Sequence, residues 1–273
     1  MKREEMLIEV GELLTNLDKP ALRLFDATVL FFRQDSEATA YEQYMAGHIP
    51  GAAFFDHDAF SDASNSYMYM LPTEEKLAAQ IGKIGISEDS EVVFYTHDLL
   101  PTATRAWWVL RYAGHNNVRV LNGGLAAWKQ AGGMVEQGTN SYAPATFNSE
   151  LRPQMIASKE DVLAAMGNGA VCTVNTLNPE SYNNGHIQGS SLLPCSDLMH
   201  GMAAFISTEE IATKLQEEAE HERIITYCGG GFAATVNAMA HLMAGNENVA
   251  VYDGSMDEWA GEKLPITAKT AVN

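Results

Sequence analysis

The stretch Ile224-Ile225-Thr226-Tyr227-Cys228-Gly229-Gly230-Gly231-Phe232-Ala233-Ala234 decides how this chain is read. An apolar, strand-like run ends at a cysteine, three glycines follow, and a helical pattern begins at Phe232. The glycines let the backbone bend sharply and turn several N–H groups toward one point, while the helix adds partial positive charge. A thiolate or another anion is favoured in such a place. An inert, buried cysteine beside a Gly-rich turn is the other reading of the same segment.

Working outward, the chain repeats itself. Gly47-His48-Ile49-Pro50-Gly51-Ala52 returns 138 residues later as Gly185-His186-Ile187-Gln188-Gly189-Ser190. Val118-Arg119-Val120-Leu121-Asn122-Gly123-Gly124, with Trp128 beyond it, returns 131 residues later as Val249-Ala250-Val251-Tyr252-Asp253-Gly254-Ser255, with Trp259 beyond. The preserved order implies a duplicated domain, and the unequal offsets place a longer insertion in the first copy. Thr139–Pro153 lacks periodicity and reads as a connection. The expected division is residues 1–138, a linker at 139–154, and residues 155–273.

Short apolar runs alternate with helical patterns in both copies. Strands are expected at Leu22–Asp26, Val92–Tyr95 and Val118–Leu121, then at Ala170–Asn175, Ile224–Tyr227 and Val249–Tyr252. Helices are expected near Glu74–Ile81 and Arg105–Tyr112, then at Asp161–Met166, Glu209–Glu218 and Phe232–Ala244, with a capping box at Ser207-Thr208-Glu209-Glu210. Met6–Leu17 is amphipathic. Unalternating strands separated by helices indicate an α/β fold, a parallel sheet covered on both faces, built twice. Ligands of such sheets bind at the carboxyl ends of strands, which is where Cys228 lies.

Composition narrows the function. No apolar run reaches the roughly 18 residues that a membrane span needs. The formal charge of −18 disfavours nucleic acid and anionic membranes, so an anionic substrate must be held by local donors. Three cysteines, Cys172, Cys195 and Cys228, form no CxxC pair, and their odd number argues for reduced thiols in a cytoplasm. The N-terminus carries no pattern of a secretion signal.

With both Gly-His-Ile turns, Phe54-Phe55-Asp56-His57-Asp58, Met70-Leu71-Pro72, Arg105-Ala106-Trp107-Trp108, Gly123-Gly124-Leu125 with Trp128, and Tyr252-Asp253-Gly254-Ser255 with Trp259, the chain resembles the tandem-domain rhodanese family. These are the thiosulfate and 3-mercaptopyruvate sulfurtransferases. The resemblance implies two rhodanese-like domains, the second using Cys228 as nucleophile and persulfide carrier, the first silent because Thr96 stands at the matching place. It implies a small anionic sulfur donor, a thiol or cyanide acceptor, and neither metal nor organic cofactor. The amides of Gly229, Gly230, Gly231, Phe232 and Ala233 would cradle the anion, and Asp58 and Tyr69 would be the first domain's contribution.

Departures from the family pattern are specific. The mercaptopyruvate type carries Ser where this chain has Gly230, and His where it has Tyr69; the thiosulfate type has Arg and Lys in the loop, and this chain has neither between Cys228 and Ala240. An Asp-x-Arg pattern after the first strand of the second domain is replaced by Asn175-Thr176-Leu177. Standard donors are therefore expected to turn over poorly, and a non-catalytic binding or sulfur-relay module is the competing reading. A cysteine phosphatase would need Arg at position 234, which is Ala.

Other residues receive structural readings. His48 and His186 are expected to cap backbone groups within the repeated turns. His57 lies either in a solvated loop or against the catalytic loop. Cys172 reads as core, Cys195 as an exposed strand exit and a possible resolving thiol, and one of Trp107 and Trp108 as inward-facing.

Overall fold

The computed structural model describes residues 1–268. Two five-stranded sheets share one strand order and are parallel throughout. The first runs, edge to edge, Leu7–Ile8, Val118–Leu121, Glu91–Tyr95, Leu22–Asp26, Ala53–Phe54; the second runs Ile156–Ala157, Val249–Tyr252, Arg223–Tyr227, Val171–Asn175, Ser191–Leu192. The three central strands of each sheet are those expected from the apolar runs, because burial on both faces demands uninterrupted hydrophobic sequence. The edge strands have two residues each, too short to carry a period. Met6–Leu17 is accordingly not one amphipathic helix: helix Arg3–Met6 is followed by strand Leu7–Ile8 and helix Val10–Asn16.

Each sheet has an outer core of its own. Leu24, Tyr95 and Trp128 belong to one, Ile225, Tyr227 and Trp259 to the other. The inner faces instead share one continuous core in which Phe25 and Trp107 of the first domain join Val174 and Met239 of the second. Helices Leu100–Tyr112 and Ala233–Met243 pack against each other at its centre. Their hydroxyls Thr104 Oγ1 and Thr235 Oγ1 lie 2.7 Å apart. Thr104 and Thr235 are separated by the same 131 residues that relate Trp128 to Trp259, so the pair marks the pseudo-twofold between domains. Both Trp107 and Trp108 are fully buried; the helix has its own sheet on one side and its sister helix on the other, so no face of this stretch is left to solvent.

The repeated turns fix the strand ends. His48 Nδ1 lies 2.8 Å from Tyr44 O, and His186 Nδ1 lies 2.8 Å from Tyr182 O, each ring stacked on that tyrosine. The following amides, Ile49 N and Ile187 N, donate to the hydroxyls of Tyr95 and Tyr227. The turn thereby anchors the residue immediately before Cys228.

Candidate active site at the domain interface

Cys228 follows strand Arg223–Tyr227 and precedes helix Ala233–Met243. Its amide donates to Ser255 Oγ at 3.1 Å, and that hydroxyl donates to Tyr252 O at 2.9 Å and lies 4.0 Å from Cys228 Sγ. Ser255 holds φ 49°, a left-handed conformation that a β-carbon makes costly. The Cys228 and Gly229 carbonyls accept from Met256 N and Asp257 N at 3.0 and 2.9 Å. With those carbonyls drawn to the start of helix Ser255–Gly261, the amides of residues 229–234 donate to no acceptor among the described residues. Six consecutive free donors at a helix N-terminus form a site for negative charge.

The middle of the loop is shaped by the first domain. Gly231 has φ 79°, and a β-carbon there would come within 2.9 Å of Arg105 Nη1 and 3.0 Å of Asp253 O, so only glycine fits. Gly229 and Gly230 have open space instead, and the absence of a serine at 230 is not imposed by crowding. Arg105 is almost fully buried. Its Nη1 donates to Asp253 Oδ1 at 2.6 Å and to Gly231 O at 3.4 Å, and its Nη2 donates to Tyr69 O at 2.7 Å. Asp253 Oδ2 accepts from Leu71 N at 2.8 Å. One buried ion pair thus ties the catalytic-position loop to the segment around Met70-Leu71-Pro72.

Phe232 closes the loop. Its ring lies edge-on to Phe31 at 5.0 Å and Tyr69 at 4.8 Å, tilted against His57 at 5.1 Å, with the Arg105 guanidinium 5.9 Å away. His57 therefore stands against the loop, not in solvent. Burial holds its pKa down to about 3, with the nearby Arg105 charge adding to the effect despite the hydrogen bond to Ala27 O, so the ring is neutral at physiological pH. Tyr69 is half-buried with φ 61°, and burial, then the Asp58 charge, pushes its hydroxyl up. Asp58 is exposed; partial burial, and then Asp56, raise its carboxyl. Asp58 and Tyr69 line a cavity of about 640 Å³ together with His57, Asp56 and Arg33, and Cys228 is not among its lining residues. Of the first-domain residues singled out from sequence, Tyr69 reaches the loop through Phe232, while Asp58 reaches only the adjoining cavity.

Cys195 is buried, not exposed. The chain turns inward after Pro194, and Cys195 N donates to Thr176 O at 2.9 Å. Burial, reinforced by Cys228 nearby, pushes its thiol up to about 12, which suppresses the thiolate that a resolving cysteine needs. Cys172 is buried with its thiol also raised by burial. Sequence reasoning passed over Ser255, Arg105 and Asp253 as site residues. Ser255 could have been found, since its counterpart in the first copy is Gly124. Nothing local marks Arg105 and Asp253 as partners 148 residues apart.

The rhodanese-like domain model matches this chain twice, over residues 9–131 and 158–262. The chain belongs to the rhodanese family. This member is 30% identical to the 3-mercaptopyruvate sulfurtransferase of Escherichia coli K12, covering 92% of this chain and 94% of that protein. It is 33% identical to the thiosulfate sulfurtransferase of Gallus gallus, covering 87% and 86%. The crystal structure of SseA from Escherichia coli, a 3-mercaptopyruvate enzyme, superposes with a TM-score of 0.85 at 28% identity, over 93% of this chain and 99% of that one. The protein is accordingly a sulfurtransferase, an enzyme of two rhodanese domains. No described helix is long and apolar enough to cross a membrane.

Proposed function

We propose that this rhodanese moves a sulfane sulfur from a thiosulfate- or 3-mercaptopyruvate-like donor to a thiophilic acceptor through a persulfide on Cys228. The row of free amides around that thiol carries this reading. The Cys228 thiolate attacks the donor's outer sulfur, the new S–S bond forms, and the donor's remaining fragment leaves with the electron pair of the broken bond. The persulfide anion is then stabilised by the amides of Gly229, Gly230, Gly231, Phe232 and Ala233, each charge-assisted bond contributing about 1.5–3 kcal/mol. An acceptor such as cyanide or a thiol removes the outer sulfur and regenerates the thiolate. Tyr69 and Asp58 are the first domain's side of the approach to the loop. No metal or organic cofactor has a step in this sequence.

The division proposed is a silent domain at residues 1–138, a linker at 139–154 and an active domain at 155–273. Reduced Cys172, Cys195 and Cys228 suit a cytoplasmic setting, and the charge of −18 leaves nucleic acid out of the partner set.

Intact-mass measurement after incubation with thiosulfate or 3-mercaptopyruvate tests the reading. The expected result is a gain of a single sulfur that cyanide removes and that Cys228→Ser abolishes. An unchanged mass with every sulfane donor tried, or a gain that persists in Cys228→Ser, overturns it.

A further inference from the structure

The cavity beside the loop carries charges of both signs that its own walls leave unused. It lies at the carboxyl ends of strands Leu22–Asp26 and Ala53–Phe54, measures about 640 Å³, and has no residue of the second domain in its lining. Arg33 stands half-buried in its wall. The Nη1 of that guanidinium donates to the carbonyls of Gln34, Asp35 and Glu37 at 2.9, 3.4 and 2.7 Å, which fixes the group in its own loop. Among the described residues its Nε and Nη2 meet no acceptor, and no carboxylate lies within ion-pair distance of it. Glu42, whose carboxyl is held down first by Thr39 N and Oγ1 and only lastly by Arg33, is taken up in capping helix Ala40–Ala46. The unused Nε–Nη2 edge is the fork that grips a carboxylate with two parallel bonds. Asp56 and Asp58 are exposed in the same cavity. Asp56 Oδ1 accepts from Asp58 N at 3.1 Å, and neither carboxylate is paired with a cation among the described residues. Tyr41, 44% exposed, and the partly exposed Phe54 add apolar wall, their rings 5.4 Å apart. An anion alone is repelled there by two carboxylates and a cation alone by Arg33, whereas a ligand bearing both charges satisfies each.

We infer that this cavity is a second ligand site, built by the first domain and separate from the sulfur site at Cys228, that takes a free amino acid as its zwitterion. The carboxylate sits on the Nε–Nη2 edge of Arg33, the ammonium on Asp58 and Asp56, and an apolar side chain on Tyr41 and Phe54. Tyr69 and His57 line the same cavity and pack against Phe232, so the bound amino acid lies one ring away from the Cys228 loop.

Isothermal titration of the full-length protein with phenylalanine and leucine, and then with 3-phenylpropionate and 2-phenylethylamine, tests the site. The last two keep the ring of phenylalanine and carry only its negative or only its positive charge. At least one of the two amino acids is expected to bind one to one, with each singly charged compound at least about tenfold weaker than phenylalanine, the size of a lost charge-assisted contact. Arg33→Gln is expected to weaken the amino acid about tenfold and to leave 2-phenylethylamine no weaker, because the loss belongs to the carboxylate. Asp58→Asn, an isosteric change on an exposed side chain that guards against a folding artefact, is expected to weaken the amino acid and to leave 3-phenylpropionate no weaker. No saturable binding of either amino acid, equal affinity for the singly charged compounds, or unchanged affinity in both variants overturns the inference. The persulfide reading is judged separately, by the mass of Cys228, and none of these outcomes bears on it.

Discussion

In the first domain the loop after strand Glu91–Tyr95 begins with Thr96, and three of the next four amides, those of His97, Leu99 and Leu100, are occupied. His97 N donates to Thr28 Oγ1, Leu99 N to Thr96 Oγ1 and Leu100 N to Met202 O, while Pro101 has no N–H to offer. His97 Nε2 also lies 2.8 Å from Asp26 Oδ2, off the line of a good hydrogen bond. In the second domain the corresponding loop begins with Cys228, and its amides are free. The difference extends to the residue beneath. Gly124 lies under Thr96 with φ 56°, and a β-carbon there would collide with Thr96 O; Ser255, its counterpart, keeps φ 49° and uses its hydroxyl to hold Cys228 N. Each domain also lends the other a strap. Segment 199–206 presents Met202 O to Leu100 N of the first loop and Ala203 O to Gly123 N in the turn after strand Val118–Leu121, whereas segment 67–72 offers Tyr69 O to Arg105 and leaves the second loop's amides untouched. One fold, built twice, pairs most of the donors of one loop and leaves those of the other free, which is the contrast on which the proposed division of labour rests.

Grafting is the harshest way to break this contrast. Thr96→Cys in a Cys228→Ser background places a thiol at the matching position but among paired amides. Losing two or more charge-assisted hydrogen bonds predicts sulfur uptake at least about a hundredfold below the natural site. Uptake within tenfold of the natural site, seen by intact mass after donor treatment, would show that fold position alone suffices.

The next largest effect concerns the clamp that shapes the second loop. Arg105→Leu strips the partner from Asp253, a carboxylate only 5% exposed, and breaking such a buried pair costs about 3–5 kcal/mol. Urea unfolding reads that loss directly. Arg105→Lys, with one donor centre instead of a planar fork, is expected to recover part of it; a loss under 1 kcal/mol in Arg105→Leu would remove the clamp from the account.

The smallest expected effect is on pH dependence. His57 is neutral in the fold with a pKa near about 3, against an ordinary 6.5. Between those values the unfolded chain binds more protons, so stability falls as pH falls through that window, by up to about 1.4 kcal/mol per pH unit. Wild type should therefore lose about 2–3 kcal/mol more than His57→Gln between pH 6.5 and 4.5. Equal losses in the two proteins would mean that the ring takes up its proton inside the fold.

Much of this architecture was legible in the sequence because central strands such as Leu22–Asp26 and Val249–Tyr252 are buried on both faces and must be apolar along their length. The two-residue edge strand Leu7–Ile8 left no such signature, since it is too short to carry a period and its neighbour in the sheet lies more than a hundred residues away. Trp107 and Trp108 show the same limit: a helix's periodicity reports one buried face, and the second face here is covered by another domain. Cys195 looked like an exposed strand exit because burial of a turn after Pro194 depends on what packs over it.

Taken alone, the sequence determined the duplicated α/β plan, the strand-to-helix turn at Cys228 and the absence of loop cations, because these follow from short-range pattern and residue identity. Only the tertiary structure decided which amides stay unpaired, that Arg105 is bound to Asp253, and that Phe232 meets Phe31, His57 and Tyr69. Those contacts join segments brought together by the pseudo-twofold packing of two domains, and no local interaction encodes a distance between chains of residues that meet only after both cores have formed.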